Sequence, residues 1–241
     1  MFKLQTERLS TLSISESKQI KMYLLSSFLI LAITCILAII EPNSFKRFLG
    51  PINPIILVSL LIIVGFCILK FFLSRNWFEI YAKKKDKKQN FMYYLPILLA
   101  FIPIVIDLTF RYPENTNVYF PQSLLFYPII GFVAETMFHI IPIFVLVLIL
   151  PSILKNLHTK LINWIILLTV ALIEPLYQTI WSPNYFPLWI TIYMGFHLYL
   201  FNIIELYTFK HYGFLAMYSV RLIYYLTWHI IWGYFRILIL F

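Results

Sequence analysis

The chain has 241 residues, of which 61% are hydrophobic and 12% charged, with a mean hydropathy of +0.85. A soluble domain carries about 25% charged residues. Here the apolar residues also lie in long blocks, which excludes an ordinary soluble domain and points to an all-α, polytopic membrane helical bundle. The net charge of +9 does not indicate nucleic acid, because the basic residues gather at the ends of the apolar runs. Such clusters report orientation and contact with anionic membrane lipid.

The first 22 residues are polar and basic, and the run after them is long enough to span, so no cleavable signal peptide is expected. Spans are predicted over residues 22–40, 54–73, 91–110, 121–150, 161–181, 186–207 and 213–240. The fourth run exceeds the roughly 20 residues of a simple span. It carries Pro128 and Pro142, which would tilt it, kink it or split it into a half-helix plus a helix. The count is therefore seven, or eight if that run is a broken pair.

Thirteen basic residues fall in the segments that are inside when the N-terminus is cytoplasmic, against four outside, Lys46, Arg47, Arg111 and Arg236. The inside set includes Lys83, Lys84, Lys85, Lys87 and Lys88. This asymmetry places the N-terminus in and the C-terminus out across the cell membrane. Tyr and Trp near the span ends, as in the run from Trp181 to Tyr185, fit an interfacial belt. Cys35 and Cys67 lack metal or redox spacing and read as small core residues.

An ionisable side chain at lipid depth costs on the order of 3 kcal/mol and usually faces a cavity or a partner. The first three spans hold almost none, Lys70 and Asp107 excepted. The later spans hold Glu135, His139, Glu174, Gln178, His197, Asn202, Glu205, Arg221 and His229. The chain thus divides into residues 1–120, a cytoplasmic segment with three helices, and residues 121–241, a bundle with a polar interior. Glu135 and His139 share a helix face at i, i+4, as do Glu174 and Gln178. Arg221, Tyr225 and His229 form a third polar stripe. Asn202 and Glu205 approach the cytoplasmic end of their run and read as interfacial.

The sequence holds no HExxH zinc motif, GxSxG serine elbow, GxGD aspartyl motif or P-loop. What remains is glutamate and histidine. In a peptidase reading, Glu135 or Glu174 is the general base on a water, and His139, His197 or His229 positions that water or protonates the leaving amine. Arg221 stabilises an oxyanion or holds a carboxylate. A divalent metal held by Glu135, His139, Glu174 and His229 is compatible with the spacing. In the bland reading, Glu135 is neutralised by Arg221 and the polar groups hold helices together.

The run Ala134-Glu135-Thr136-Met137-Phe138-His139 resembles the first motif, Glu-Glu-x-x-x-Arg, of the CAAX protease and bacteriocin-processing family of glutamic intramembrane proteases. Phe138 matches its aromatic and Glu135 its second glutamate, while His139 stands at the arginine and Ala134 at the first glutamate. The family's second motif, Phe-x-x-x-His, has Glu174 near its histidine on the next helix. Tyr193-x-x-x-His197 matches the pattern one helix later. Its third motif, His-x-x-x-Asn, follows a glycine turn like Gly213-Phe214-Leu215-Ala216. Arg221-x-x-x-Tyr225 stands there, with His229 beyond. The resemblance covers about residues 120–240 and implies cleavage of a membrane-associated peptide or protein by glutamate-activated water, a mechanism that requires no cofactor. The same scaffold without catalysis would bind a peptide, scaffold a partner or confer bacteriocin immunity. A transporter is a further option, without visible repeats.

Overall fold

The computed structural model describes residues 15–82, 87–181 and 186–241. Lys83, Lys84 and Lys85 of the basic loop and residues 182–185 of the expected aromatic belt lie outside them. Seven helices are long and apolar enough to cross a membrane, and no strand occurs among the described residues. The chain is an all-α, multi-pass membrane protein. This architecture follows from the solvent, since a helix satisfies its own backbone groups where lipid offers no partner.

The helices are α1 (Glu16–Ile40), the short α2 (Asn43–Leu49), α3 (Pro54–Ser74) and α4 (Lys87–Phe110). After a single 3-10 turn come α5 (Ser123–Ala134) and α6 (Ile141–Ile153), then α7 (Thr159–Trp181) and α8 (Leu188–Tyr212). The last span consists of α9 (Phe214–Tyr225) and α10 (Gly233–Leu240). Local chemistry sets several of these boundaries. Asn53 caps α3 by accepting from the amides of Ile55, at 2.9 Å, and Ile56, at 3.3 Å, with Pro54 at the first helical position.

The overlong fourth run is one continuous span, Ser123–Ile153, and not a broken pair, so the helices number seven among the described residues. A π-turn over Glu135–Ile140 joins α5 to α6. Pro142 explains its place. Proline has no amide to donate, and its ring displaces the carbonyl four residues back, so the wider turn immediately before it relieves the clash. A second π-turn, Leu226–Trp232, joins α9 to α10.

Helices α1 and α3 pack on each other and on α5, while α4 packs on α8, α9 and the second π-turn. Helix α9 thus lies among α4, α5 and α8. Apolar side chains such as Phe28, Ile39, Ile56 and Leu238 point outward, as lipid-facing residues do. Cys67 belongs with them: it is exposed and Cys35 is half-buried, so neither is a core residue. A thiol is apolar enough for a lipid-facing surface to tolerate it.

The glycine turn has a packing explanation. Residues 77–82 fold back as a strap over the junction of α8 and α9. The amides of Phe214 and Leu215 donate to the carbonyls of Glu79, at 3.1 Å, and Ile80, at 2.9 Å, and the Ala82 amide donates to the Tyr212 carbonyl. Gln19 of α1 accepts from the amides of Ile80 and Tyr81. Gly213 takes φ +88°, and a Cβ there would lie 2.8 Å from the Glu79 carbonyl oxygen. Only glycine fits that backbone and that space.

Candidate functional site

The polar stripes meet where the first π-turn faces α7, α8 and α9. Arg221 is at the centre, 1% exposed, and all five of its N–H donors are used. Its Nε donates to Glu135 Oε1 at 2.8 Å. One terminal nitrogen donates to Glu174 Oε1 at 3.0 Å and to the Tyr225 hydroxyl at 3.1 Å. The other donates to Glu174 Oε2 at 2.9 Å and to Glu205 Oε2 at 2.6 Å. The Glu174 contact is the bidentate fork that a planar guanidinium makes best. All three glutamates are buried, at 2% exposure or less.

His139 completes the cluster. Its Nδ1 lies 2.6 Å from Glu135 Oε2 and 4.0 Å from Glu205 Oε2, and the ring is fully buried. A carboxylate can only accept, so the proton in this contact belongs to Nδ1, and in the neutral imidazole Nε2 is then a bare acceptor. That Nε2 has no hydrogen-bond partner, and neither have Glu205 Oε1 or, one turn earlier on α8, Asn202 Oδ1. Buried polar atoms are nearly always paired, so three such atoms on neighbouring elements ask for a ligand or water.

Four of the six sequence candidates, Glu135, His139, Glu174 and Arg221, therefore come together. The other two lie elsewhere. His197 is buried and its Nε2 pairs with the Tyr224 hydroxyl at 3.1 Å. His229 bonds through Nδ1 to Asn117 Oδ1 at 2.8 Å and stacks on Tyr127 with ring centroids 4.4 Å apart. The stripe Arg221, Tyr225, His229 diverges from one site because the π-turn intervenes after Tyr225 and carries His229 toward the loop that holds Asn117.

Glu205 is the residue that sequence reasoning set aside. Its reading as interfacial fails because α8 continues to Tyr212 and ends only at Gly213. That extension puts Glu205 about 10 Å inside the helix end, at 1.5 Å per residue, and fully buried. Asn202 is buried too, with its amide donating to the Ala171 carbonyl at 3.2 Å. The signal available was Gly213, a helix-stopping residue that lies beyond the end predicted for that run.

A second buried arginine also escaped notice. Arg236, placed outside by the topology count, is fully buried. Its Nε donates to Asp107 Oδ2 at 2.7 Å, and one terminal nitrogen donates to Asp107 Oδ1 at 3.0 Å and the Tyr112 carbonyl at 2.8 Å. The other donates to the carbonyls of Pro113 and Glu114. Trp232 donates its indole N–H to Asp107 Oδ2 at 2.7 Å. This cluster ties the last helix to α4 and to the 112–114 turn. A notch of about 190 Å³ between α7 and α8, lined by Leu172, Pro175, Leu176, Thr179, Gly195, Phe196 and Tyr199, is apolar and offers no chemistry of its own.

Fold and site together define a multi-pass membrane protein with a buried acid–histidine–arginine centre. No family model matches the chain, and no curated protein or solved structure does.

Proposed function

We propose that the chain is an intramembrane hydrolase of the peptidase kind, residing in the cell membrane and cleaving a membrane-associated peptide or protein. The observation that carries this reading is the unpaired Nε2 of His139, a fully buried ring held by Glu135 through Nδ1, in a cluster where Glu205 Oε1 is also unpaired. An imidazole oriented by a carboxylate at one nitrogen and open at the other is the arrangement of a general base. A water at Nε2 is the nucleophile. Its oxygen attacks the scissile carbonyl carbon as Nε2 takes its proton. The proton then passes to the leaving amine as the C–N bond breaks.

This assignment differs from a glutamate base. Glu135 engages Arg221 with one oxygen and His139 with the other, so it orients the histidine. Arg221 has no donor left for an oxyanion and holds the carboxylates in place. The likeness of residues 134–139 to the first motif of the CAAX protease family supports the same reaction class.

The test is cleavage of membrane-anchored peptides by the purified chain in lipid nanodiscs. His139→Ala should lower the rate by about 100-fold or more, the scale of a lost general base, while His197→Phe and His229→Phe retain cleavage. Equal activity in His139→Ala and the unaltered chain would remove the assignment. A second reading, a non-catalytic membrane protein that binds a peptide or scaffolds a partner, draws support from the completeness with which Arg221 is satisfied within the chain. It expects no cleavage from any variant and an unchanged biological effect in His139→Ala.

A further inference from the structure

The charges of the Arg221 cluster do not cancel. Three carboxylates, those of Glu135, Glu174 and Glu205, surround one guanidinium, and all are within 2% of complete burial. The neighbours add no permanent cation: the other polar contacts of the cluster are the Tyr225 hydroxyl, the Gln178 amide and the imidazole of His139. Fully ionised, the cluster carries two negative charges in excess, which at lipid depth calls for protons or a cation to offset them. Asp107 with Arg236, one acid against one base, has no such excess.

We infer that Glu135, His139 and Glu205 bind one divalent transition-metal cation, of the Zn²⁺ or Mn²⁺ kind. One atom from each residue, a carboxylate oxygen from either glutamate and a ring nitrogen from His139, lies within 4.8 Å of the other two. Small side-chain movements bring such a trio to metal-bond length, about 2.0–2.2 Å. Two atoms of the trio's residues, Glu205 Oε1 and His139 Nε2, are fully buried and unpaired, so the ligand set has coordination to spare. A divalent ion cancels the double excess with His139 neutral, the state in which histidine ligates. One imidazole with two carboxylates suits Zn²⁺ or Mn²⁺ rather than the all-oxygen shells of Ca²⁺ or Mg²⁺. Arg221 and Glu174 lie outside the trio: Glu174 is engaged by the guanidinium with both oxygens and anchors it. His229, tied to Asn117, is not a ligand.

The inference concerns the site of the hydrolase reading but does not depend on cleavage. With the ion in place His139 is a ligand and not the base, and the activation of water that the hydrolase reading gives to Nε2 would come from the ion.

The test uses the full chain in nanodiscs, stripped with chelator, reloaded with Zn²⁺ or Mn²⁺ and desalted, with metal per chain measured by emission spectroscopy. The expected result is about one ion per chain, its loading accompanied by release of about two protons, because ligands that shared protons must give them up. Glu205→Gln and His139→Ala should each weaken binding by at least about tenfold, the smallest loss seen even for outer-shell partners. His229→Ala should bind as the unaltered chain does. Glu205→Gln is isosteric, and chromatographic profile and helix content monitor its folding. Absence of stoichiometric metal, or equal binding by Glu205→Gln and His139→Ala, overturns the inference and assigns the excess charge to protons. A chain that binds the ion but cleaves nothing upholds the site and overturns only the hydrolase reading.

Discussion

Arg221 and Arg236 belong to the same membrane-spanning helix, and both are buried with all five donors engaged. Their partners differ in kind. Arg236 meets one carboxylate and three backbone carbonyls of the 112–114 turn, so charge balances. Arg221 meets three carboxylates and a hydroxyl, and beside it lie polar atoms with no partner. A closed, neutral cluster serves the fold. An open cluster with excess charge costs stability and is retained where chemistry or a ligand uses it. The contrast locates function near Arg221 and architecture near Arg236.

The largest expected effect tests the architectural side. Arg236→Met leaves Asp107 buried without its guanidinium partner and removes the donor that Arg236 gives to the carbonyls of Tyr112, Pro113 and Glu114. Removing one partner of a buried pair costs about 3–5 kcal/mol. Reversible unfolding in mixed detergent micelles measures it, and a loss below about 1 kcal/mol, the scale of an exposed pair, would dissolve the distinction. A smaller effect comes from the acid alone. Asp107→Asn keeps shape and one acceptor but weakens charge-assisted bonds from Arg236 and Trp232. Loss of about 2 kcal/mol is expected from the usual worth of hydrogen bonds to charged groups.

Much of this molecule is legible in sequence, but unevenly. Run length and composition suffice for seven spans because lipid demands about 20 apolar residues in a row. Glu135 with His139, Glu174 and Arg221 are legible as candidates because an ionisable group inside such a run is costly. Their pairing is not, since sequence gives the face of each helix but not which faces meet. The π-turns are invisible to composition, yet one of them separates His229 from Arg221. Glu205 was obscured by a helix end set too early, and Arg236 by the assumption that a basic residue near a span end reports topology. The lone Asp107 near the end of the third span was the available clue to its partner.

The smallest effect carries the sharpest contrast, because its sign should reverse. In chelator-treated protein, Glu205→Gln removes one of the two excess charges together with the need for a proton to offset it, while the amide oxygen still accepts from Arg221. The new amide N–H groups can donate to the Glu135 carboxylate, which lies in the same trio. Arg221 keeps two carboxylates as counter-ions, so no charge is stranded. Stability should therefore be unchanged or rise by about 1 kcal/mol, in line with the neutral or stabilising outcome of replacing buried ionic groups. The matched change, Asp107→Asn, destabilises. The same unfolding measurement on both variants decides the matter: if Glu205→Gln loses as much as Asp107→Asn, the Arg221 cluster depends on its third carboxylate as the Arg236 cluster depends on Asp107, and the contrast between the two falls.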